Sequence, residues 1–457
     1  MADKKYIKKF ETCPKEDIFF EESRVECNNF PANTEWGVIN VYGDVKYQEV
    51  LGFGGAFTES SAYLYSLLSE ADKKRFLELY FSREKGIGYN FGRSHINSCD
   101  FSLNIYSSVQ EGDMTLETFN LEREKEYIIP FLRDALAFCD EEIVLFASPW
   151  SPPAYMKDNG SVIRGGKLLE EYKALWANYY VKYIKAMAAE GINFSAISIQ
   201  NEPNARQPWE SCNYTAEDEA YFIDKYLISA LDEAGLSHIK ILVWDHNKEC
   251  VYDRAKKILS NPRVNERVWA ISHHWYSGDH FEGLRLVHEQ LGKPLICGEF
   301  CGPITEDVNV LAEKYGIEIC ENFNNFEIAS CDWNLLLDQH GGPYHNRTEK
   351  TEGDLFENKE DGCYAPILYN TETNELVVTP IYYYIGHFSK YIERGAVRLA
   401  TTKHHRDLYA TAFENPDGGK VLVVINTSDK EQYATLRYDG GCTENVMKPH
   451  SIMTLLF

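Results

Sequence analysis

Nowhere does this chain hold the run of about eighteen apolar residues that a membrane-crossing helix needs, so no integral membrane contact is expected. Its opening, M-A-D-K-K-Y-I-K-K-F, is basic but lacks the apolar core of a secretory signal, and the expected location is the cytoplasm. No C-x-x-C pair occurs among the 12 cysteines, which argues against a zinc knuckle or a redox dithiol. In a reducing compartment they read as scattered, mostly buried thiols, including Cys297 and Cys301 on either side of Glu299. Positive charge is scarce. The 46 Lys and Arg face 70 Asp and Glu, a net charge of −24, which disfavours nucleic acid or an anionic membrane as partner. No glycine-rich phosphate loop opens a helix, so no nucleotide cofactor is expected. His273 and His274 invite a metal reading, but neighbours on a strand point to opposite faces; at most His274 faces a site, and no metal or other cofactor is expected.

What the chain has in quantity is apolar and aromatic surface: 44% hydrophobic residues, with 30 Tyr, 24 Phe and 8 Trp among its 457 residues. Most of these rings belong to a core, and some suit the faces of sugar rings. Eight short apolar runs recur, separated by stretches of helical spacing. They lie near residues 49–57, 89–96, 143–150, 194–202, 239–246, 268–276, 294–300 and 328–335. Helices are expected between most of them, for example over Leu168 to Ala189 and Thr215 to Ala234. Strand and helix alternating eight times predict an α/β fold, a closed (β/α)8 TIM barrel over residues 46–395. After an expected last helix at Ile385 to Ile392, short alternating runs and turns such as N-P-D-G-G predict a small antiparallel β-sandwich. It is built from residues 396–457 with residues 1–45. An acidic insertion, Thr348 to Gly362, is expected to overhang the barrel mouth.

Polar and aromatic residues gather at the C-terminal ends of the runs: Arg93, Trp150, Asn201, Glu202, Tyr276, Glu299 and Trp333. In a parallel barrel those ends converge on one face, where active sites sit. Glu202 ends the fourth run and Glu299 the seventh, so the two carboxyls face each other across the mouth. Such a pair can cleave a glycosidic bond, one as acid and one as nucleophile. A lone strand-end glutamate is as readily a salt-bridge partner, but here Asn201 can donate to a sugar hydroxyl, and Arg93 with Tyr276 can hold Glu299 ionised. The division of labour predicts a raised pKa for Glu202 and an ionised Glu299.

The ordered motifs L-G-F-G-G-A-F-T-E, Y-F-S-R-E-K-G-I-G-Y-N, N-S-C-D-F-S, A-S-P-W-S-P-P, Q-N-E-P, H-H-W-Y, C-D-W-N-L and Y-Y-Y-I-G-H-F-S-K-Y-I span Leu51 to Ile392. Together they resemble glycoside hydrolase family 30, on its acid β-glucosidase branch. The resemblance implies a retaining β-glycosidase with Glu202 as acid/base and Glu299 as nucleophile. It further implies that Asp100, Trp150 and Asn201 bind sugar hydroxyls, that Trp333 stacks on the sugar, and that Tyr276 stands beside the nucleophile. Arg93 and His274 support the site, and Trp209 lies near the leaving group. The implied partner is a β-glucoside or oligosaccharide, with a glycolipid among the options. A β-1,6-glucanase, a β-xylosidase or a sugar-binding protein that has lost catalysis are the alternatives.

Overall fold

The structure, a computed structural model, describes residues 5–29, 37–139, 141–345 and 362–457. The acidic insertion expected at 348–362 lies outside the described residues apart from Gly362. All eight apolar runs are strands: β1 (Gly52–Phe57), β2 (Phe91–Ile96), β3 (Val144–Pro149), β4 (Ala196–Ser198), β5 (Lys240–Asn247), β6 (Val268–His274), β7 (Leu295–Glu299) and β8 (Glu327–Asp332). Each pairs in parallel with its neighbours, and β8 pairs with β1, so the sheet closes into a TIM barrel.

The interior of the barrel is a small apolar layer, with Phe91, Phe146, Ala196, Leu242, Ala270, Ile296, Ala329 and Cys331 packed together. Residues one position away in each strand point outward into a much larger core shared with the helices. Gly54 shows how tight the wall is: a Cβ there would lie 1.5 Å from the Phe91 carbonyl oxygen. Only glycine fits.

Helix ends follow local signals. Thr215 and Asp218 form a reciprocal capping box that starts the helix Ala216–Phe222. The stretch expected as one helix to Ala234 contains a π-helical turn at Ile223–Leu227, an interruption that periodicity does not reveal. The helix expected from Leu168 begins at Lys173, after a 3-10 turn at Glu170–Tyr172. The last barrel helix runs Pro380–Ser389, earlier than expected, because Pro380 occupies its first turn and ends the preceding strand pairing.

Nine of the remaining strands form a β-sandwich whose ladder returns on itself, with Lys5–Cys13 paired to both Ile18–Asn29 and Ser451–Leu456, while Leu337–Asp338, Ile367–Asn370 and Glu375–Val378 make a separate small sheet. One pairing departs from the expected antiparallel pattern: Thr435–Arg437 runs parallel to Val38–Asn40. The strand Val38–Glu49 carries this unit past residue 45 before the chain enters the barrel. His387, on the last barrel helix, joins the two units. Its ring nitrogens lie 2.8 Å from the hydroxyls of Thr12 and Thr454, and burial pushes its pKa down to about 3, so it bonds as a neutral ring.

Candidate active site

The C-terminal ends of the barrel strands open into a cavity of about 820 Å3. Asp100, Trp150, Asn201, Glu202, Trp209, Tyr276, Glu299 and Trp333 all line it. Arg93 and His274 lie directly beneath, wholly buried. Every residue singled out from the sequence is therefore at one place, although they come from six strand ends and two loops.

Arg93 organises the floor. Its Nη1 donates to Glu299 Oε2 at 2.7 Å, and its Nη2 donates to Asn201 Oδ1 and Asp245 Oδ2, each at 2.8 Å. Its Nε donates to Ser148 Oγ at 3.2 Å. The guanidinium also lies 4.8 Å from the centre of the Trp150 ring and 5.5 Å from that of Trp333. Desolvation opposes the charge, but Asp245 and Glu299 outweigh it and hold the group protonated. Gly298 keeps this floor open, since a Cβ there would meet Ser272 Oγ at 2.3 Å and Asp245 Oδ1 at 2.8 Å.

Glu299 is held through both oxygens, because the Tyr276 hydroxyl donates to Oε1 at 2.9 Å. Although the Tyr276 ring is 43% exposed, desolvation of its hydroxyl end beside Cys301 and Glu299 pushes the phenol well up, which keeps it a donor. Glu202 has different company. His274 Nδ1 lies 3.2 Å from Glu202 Oε1, His274 Nε2 lies 3.1 Å from Asp245 Oδ1, and His246 Nδ1 stands 3.5 Å from Glu202 Oε1. Burial works against a charge on His274, but Glu299, Asp245 and Glu202 lift its pKa to about 9, so the imidazolium donates to both neighbours.

This company reverses the expected electrostatics. Burial raises Glu202, but His246 and His274 overcome it and pull the carboxyl well below its ordinary range. Glu299 is raised instead: burial and the Glu202 charge outweigh His274, Arg93 and Tyr276. Of the two histidines on Glu202, His274 is expected from the sequence as a supporting residue, and His246 is not. The Glu202 charge is among the causes that raise Glu299, so the two carboxyls lie within electrostatic reach.

Asp245 and His246, at the end of β5, are the functional residues that the sequence reading passed over. Their signal was available in V-W-D-H, a polar end to an apolar run. A bulge between Trp244 and His246 in the pairing with β6 turns Asp245 inward under Arg93 and sends His246 toward the cavity. Trp244 and Asp245 have φ of 74° and 50°, and Glu202 has 47°. Left-handed backbone at non-glycine residues costs energy and collects at working sites.

Three other expectations change. Asp100, expected from the sequence as a buried carboxylate, is partly exposed on the cavity wall. Trp333 is only 2% exposed, and one face is stacked on Trp150 with ring centres 5.1 Å apart, which leaves less surface for a sugar than the sequence suggested. Cys301 is no buried structural thiol: it is partly exposed and lines the cavity.

The nitrogen and oxygen atoms of Glu202, His246 and His274 lie within 4.8 Å of one another, a spacing that could hold a cation. Both nitrogens of His274 are, however, engaged as donors to Glu202 and Asp245, and an imidazolium has no lone pair to give. The group fits a proton relay better than a metal.

Two family patterns cover the chain. One, described as the glycosyl hydrolase family 30 TIM-barrel domain, matches residues 50–392, and the family's beta sandwich domain matches residues 395–455. Over 448 residues the chain is 32% identical to the lysosomal acid glucosylceramidase of Mus musculus, which spans 92% of this chain and 83% of that protein. Among solved structures, SrfJ from Salmonella typhimurium superposes with a TM-score of 0.93 at 32% identity, covering 99% of each chain. An endo-beta1,6-glucanase superposes with a TM-score of 0.86 at 28% identity, covering 98% of each.

Proposed function

The chain belongs to glycoside hydrolase family 30, and from that premise we propose that it is a retaining, exo-acting β-glycosidase that removes a terminal β-glucosyl residue. The observation that carries this reading is the unequal equipment of the two glutamates. Glu299 is oriented through both carboxylate oxygens by Arg93 and Tyr276, while Glu202 sits against a protonated His274.

In the first step a Glu299 oxygen attacks the anomeric carbon as the bond to the leaving group breaks, and the leaving oxygen takes a proton from Glu202. In the second, Glu202 removes a proton from water, which attacks the same carbon and releases Glu299. Two inversions retain the β configuration. A proton can pass between His274 Nδ1 and Glu202 Oε1 across their 3.2 Å contact, and a bound sugar, which displaces water from Glu202, favours its place on the carboxyl. Arg93 and Asp245 keep the floor neutralised throughout.

Asp100, Trp150 and Asn201 surround the space for the sugar, and a carboxylate such as Asp100 reads hydroxyls at fixed positions. Losing one such hydrogen bond costs roughly 1.5–3 kcal/mol, so β-glucoside should exceed β-galactoside by at least about tenfold. Methanolysis followed by NMR tests the mechanism. The β-methyl glycoside should appear first, and a first product of α configuration would exclude Glu299 as nucleophile.

The second reading is endo-acting β-1,6-glucanase, supported by the endo-beta1,6-glucanase among its structural relatives and by a cavity that extends past Trp209 to Arg164 and Arg206. Initial rates on aryl β-glucoside, aryl β-xyloside and gentio-oligosaccharides separate the two. Faster cleavage as the oligosaccharide lengthens, with internal bonds cut first, favours the second.

A further inference from the structure

We propose that Cys301 and Cys363 form a redox-responsive modification site on the wall of the substrate cavity, where closure of a disulfide slows hydrolysis. The two sulfurs are 3.4 Å apart, 62 residues apart in sequence, and both residues line the cavity. Both are partly exposed, whereas most cysteines of the chain are buried. Cys301 lies two residues after Glu299, and its sulfur is also 3.4 Å from the Tyr276 hydroxyl that holds Glu299.

The backbones on either side are already tied. Tyr364 N donates to Gly302 O at 2.9 Å, Ile304 N donates to Gly362 O at 2.8 Å, and Pro303 bridges Cys363 in antiparallel register. The Cys301 carbonyl accepts from Trp275 Nε1 at 3.0 Å. The two side chains therefore reach each other diagonally across a short antiparallel pair. A disulfide has its sulfurs about 2.05 Å apart, so closure has to shorten the 3.4 Å contact observed and draw the two tied backbones together.

The oxidant is a low-molecular-weight disulfide entering through the cavity. Cys301 S–H donates to Cys363 Sγ, a hydrogen bond that a Cys363 thiolate would keep. A Cys363 thiolate displaces one small thiolate and forms a mixed disulfide. Cys301, after losing its proton, then attacks the Cys363 sulfur and expels the second small thiolate. Two protein thiols are oxidised, and one small disulfide is reduced to two thiols. Closure draws the Cys301 sulfur away from Tyr276 and ties the loop after the nucleophile to the strand leading to Ile367.

The test incubates the full-length protein with oxidised glutathione, followed by peptide mapping and by turnover of an aryl β-glucoside. The expected result is a Cys301–Cys363 cross-link lighter by two hydrogens, with turnover lowered about tenfold or more, the scale of a disturbed charge-assisted hydrogen bond. Dithiothreitol should restore both. The ratio of oxidised to reduced activity should return to near one in Cys363→Ser and in Cys363→Ala. Phenylarsine oxide, which bridges paired thiols, should bind the native protein and neither variant. Absence of the cross-link, a mixed disulfide that never closes, a cross-link without loss of turnover, or equal oxidative loss in the variants would each overturn the proposal. The cross-link is read by mass, so its absence is distinguishable from a wrong choice of sugar.

Discussion

His273 and His274 are adjacent on β6 and equally buried, yet the two faces of the barrel wall treat them in opposite ways. His274 points inward, where Glu299, Asp245 and Glu202 overcome desolvation and lift it to about 9. His273 points outward into the helix layer. There burial, with Lys248 and His274 adding repulsion, pushes it well below its ordinary value. Its partner Glu327, 3.1 Å away, is pushed well up by burial and by Glu318. Burial thus disfavours the charge on both members of the outer pair, while the inner group is a charged network. Burial alone does not decide ionisation; the number of opposite charges within reach does.

Removing the inner carboxylate should have the largest effect. Glu202→Ala is expected to slow substrates with poor leaving groups by about 10²–10⁴-fold and activated ones far less, because the latter need little protonation. Azide should rescue it by giving a β-glycosyl azide. Glu327→Gln, one wall-thickness away, should leave these rates near those of the native protein. Equal losses in the two variants would break the distinction between the faces.

Stability sharpens it next. Asp245 joins Arg93 and His274 with no side-chain exposure. Asp245→Asn leaves buried cations underneutralised and should cost about 3–5 kcal/mol in denaturant unfolding. The dependence on pH follows from the signs. His274 has a folded pKa of about 9, above its ordinary 6.5, so its contribution is complete below 6.5 and is lost as pH rises through 9. The loss is on the order of 3 kcal/mol, and His274→Gln should flatten that alkaline limb. His273 has the opposite sign: its lowered pKa gives stability that is present above its ordinary value and is lost as pH falls. Smallest of all, Glu327→Gln should change unfolding free energy by about 1 kcal/mol or less, since burial already disfavours the charge that the amide removes. A large loss there would show that the outer pair is ionic.

Much of the site was legible before the structure. Strand ends could be read because an apolar run that stops at Q-N-E or C-G-E has a sharp polar boundary. In a parallel barrel every such boundary falls on the same side. Trp209 and Asp100 could be placed only through family resemblance, since they lie on loops where no periodicity operates. Asp245 and His246 stood at an equally sharp boundary, yet their direction depends on a bulge, and a bulge leaves no mark in a pattern of alternating residues.

By itself, then, the sequence determined the eight-fold alternation, the closed barrel and the two glutamates that face each other across it, because side-chain periodicity and strand direction are properties of the local chain. The tertiary structure alone decided which glutamate its neighbours lower and which burial raises, which face of Trp333 is covered, and that Cys301 meets Cys363 at the cavity wall. Those outcomes depend on charges, rings and sulfurs brought together from distant segments, at separations that no single stretch of chain specifies.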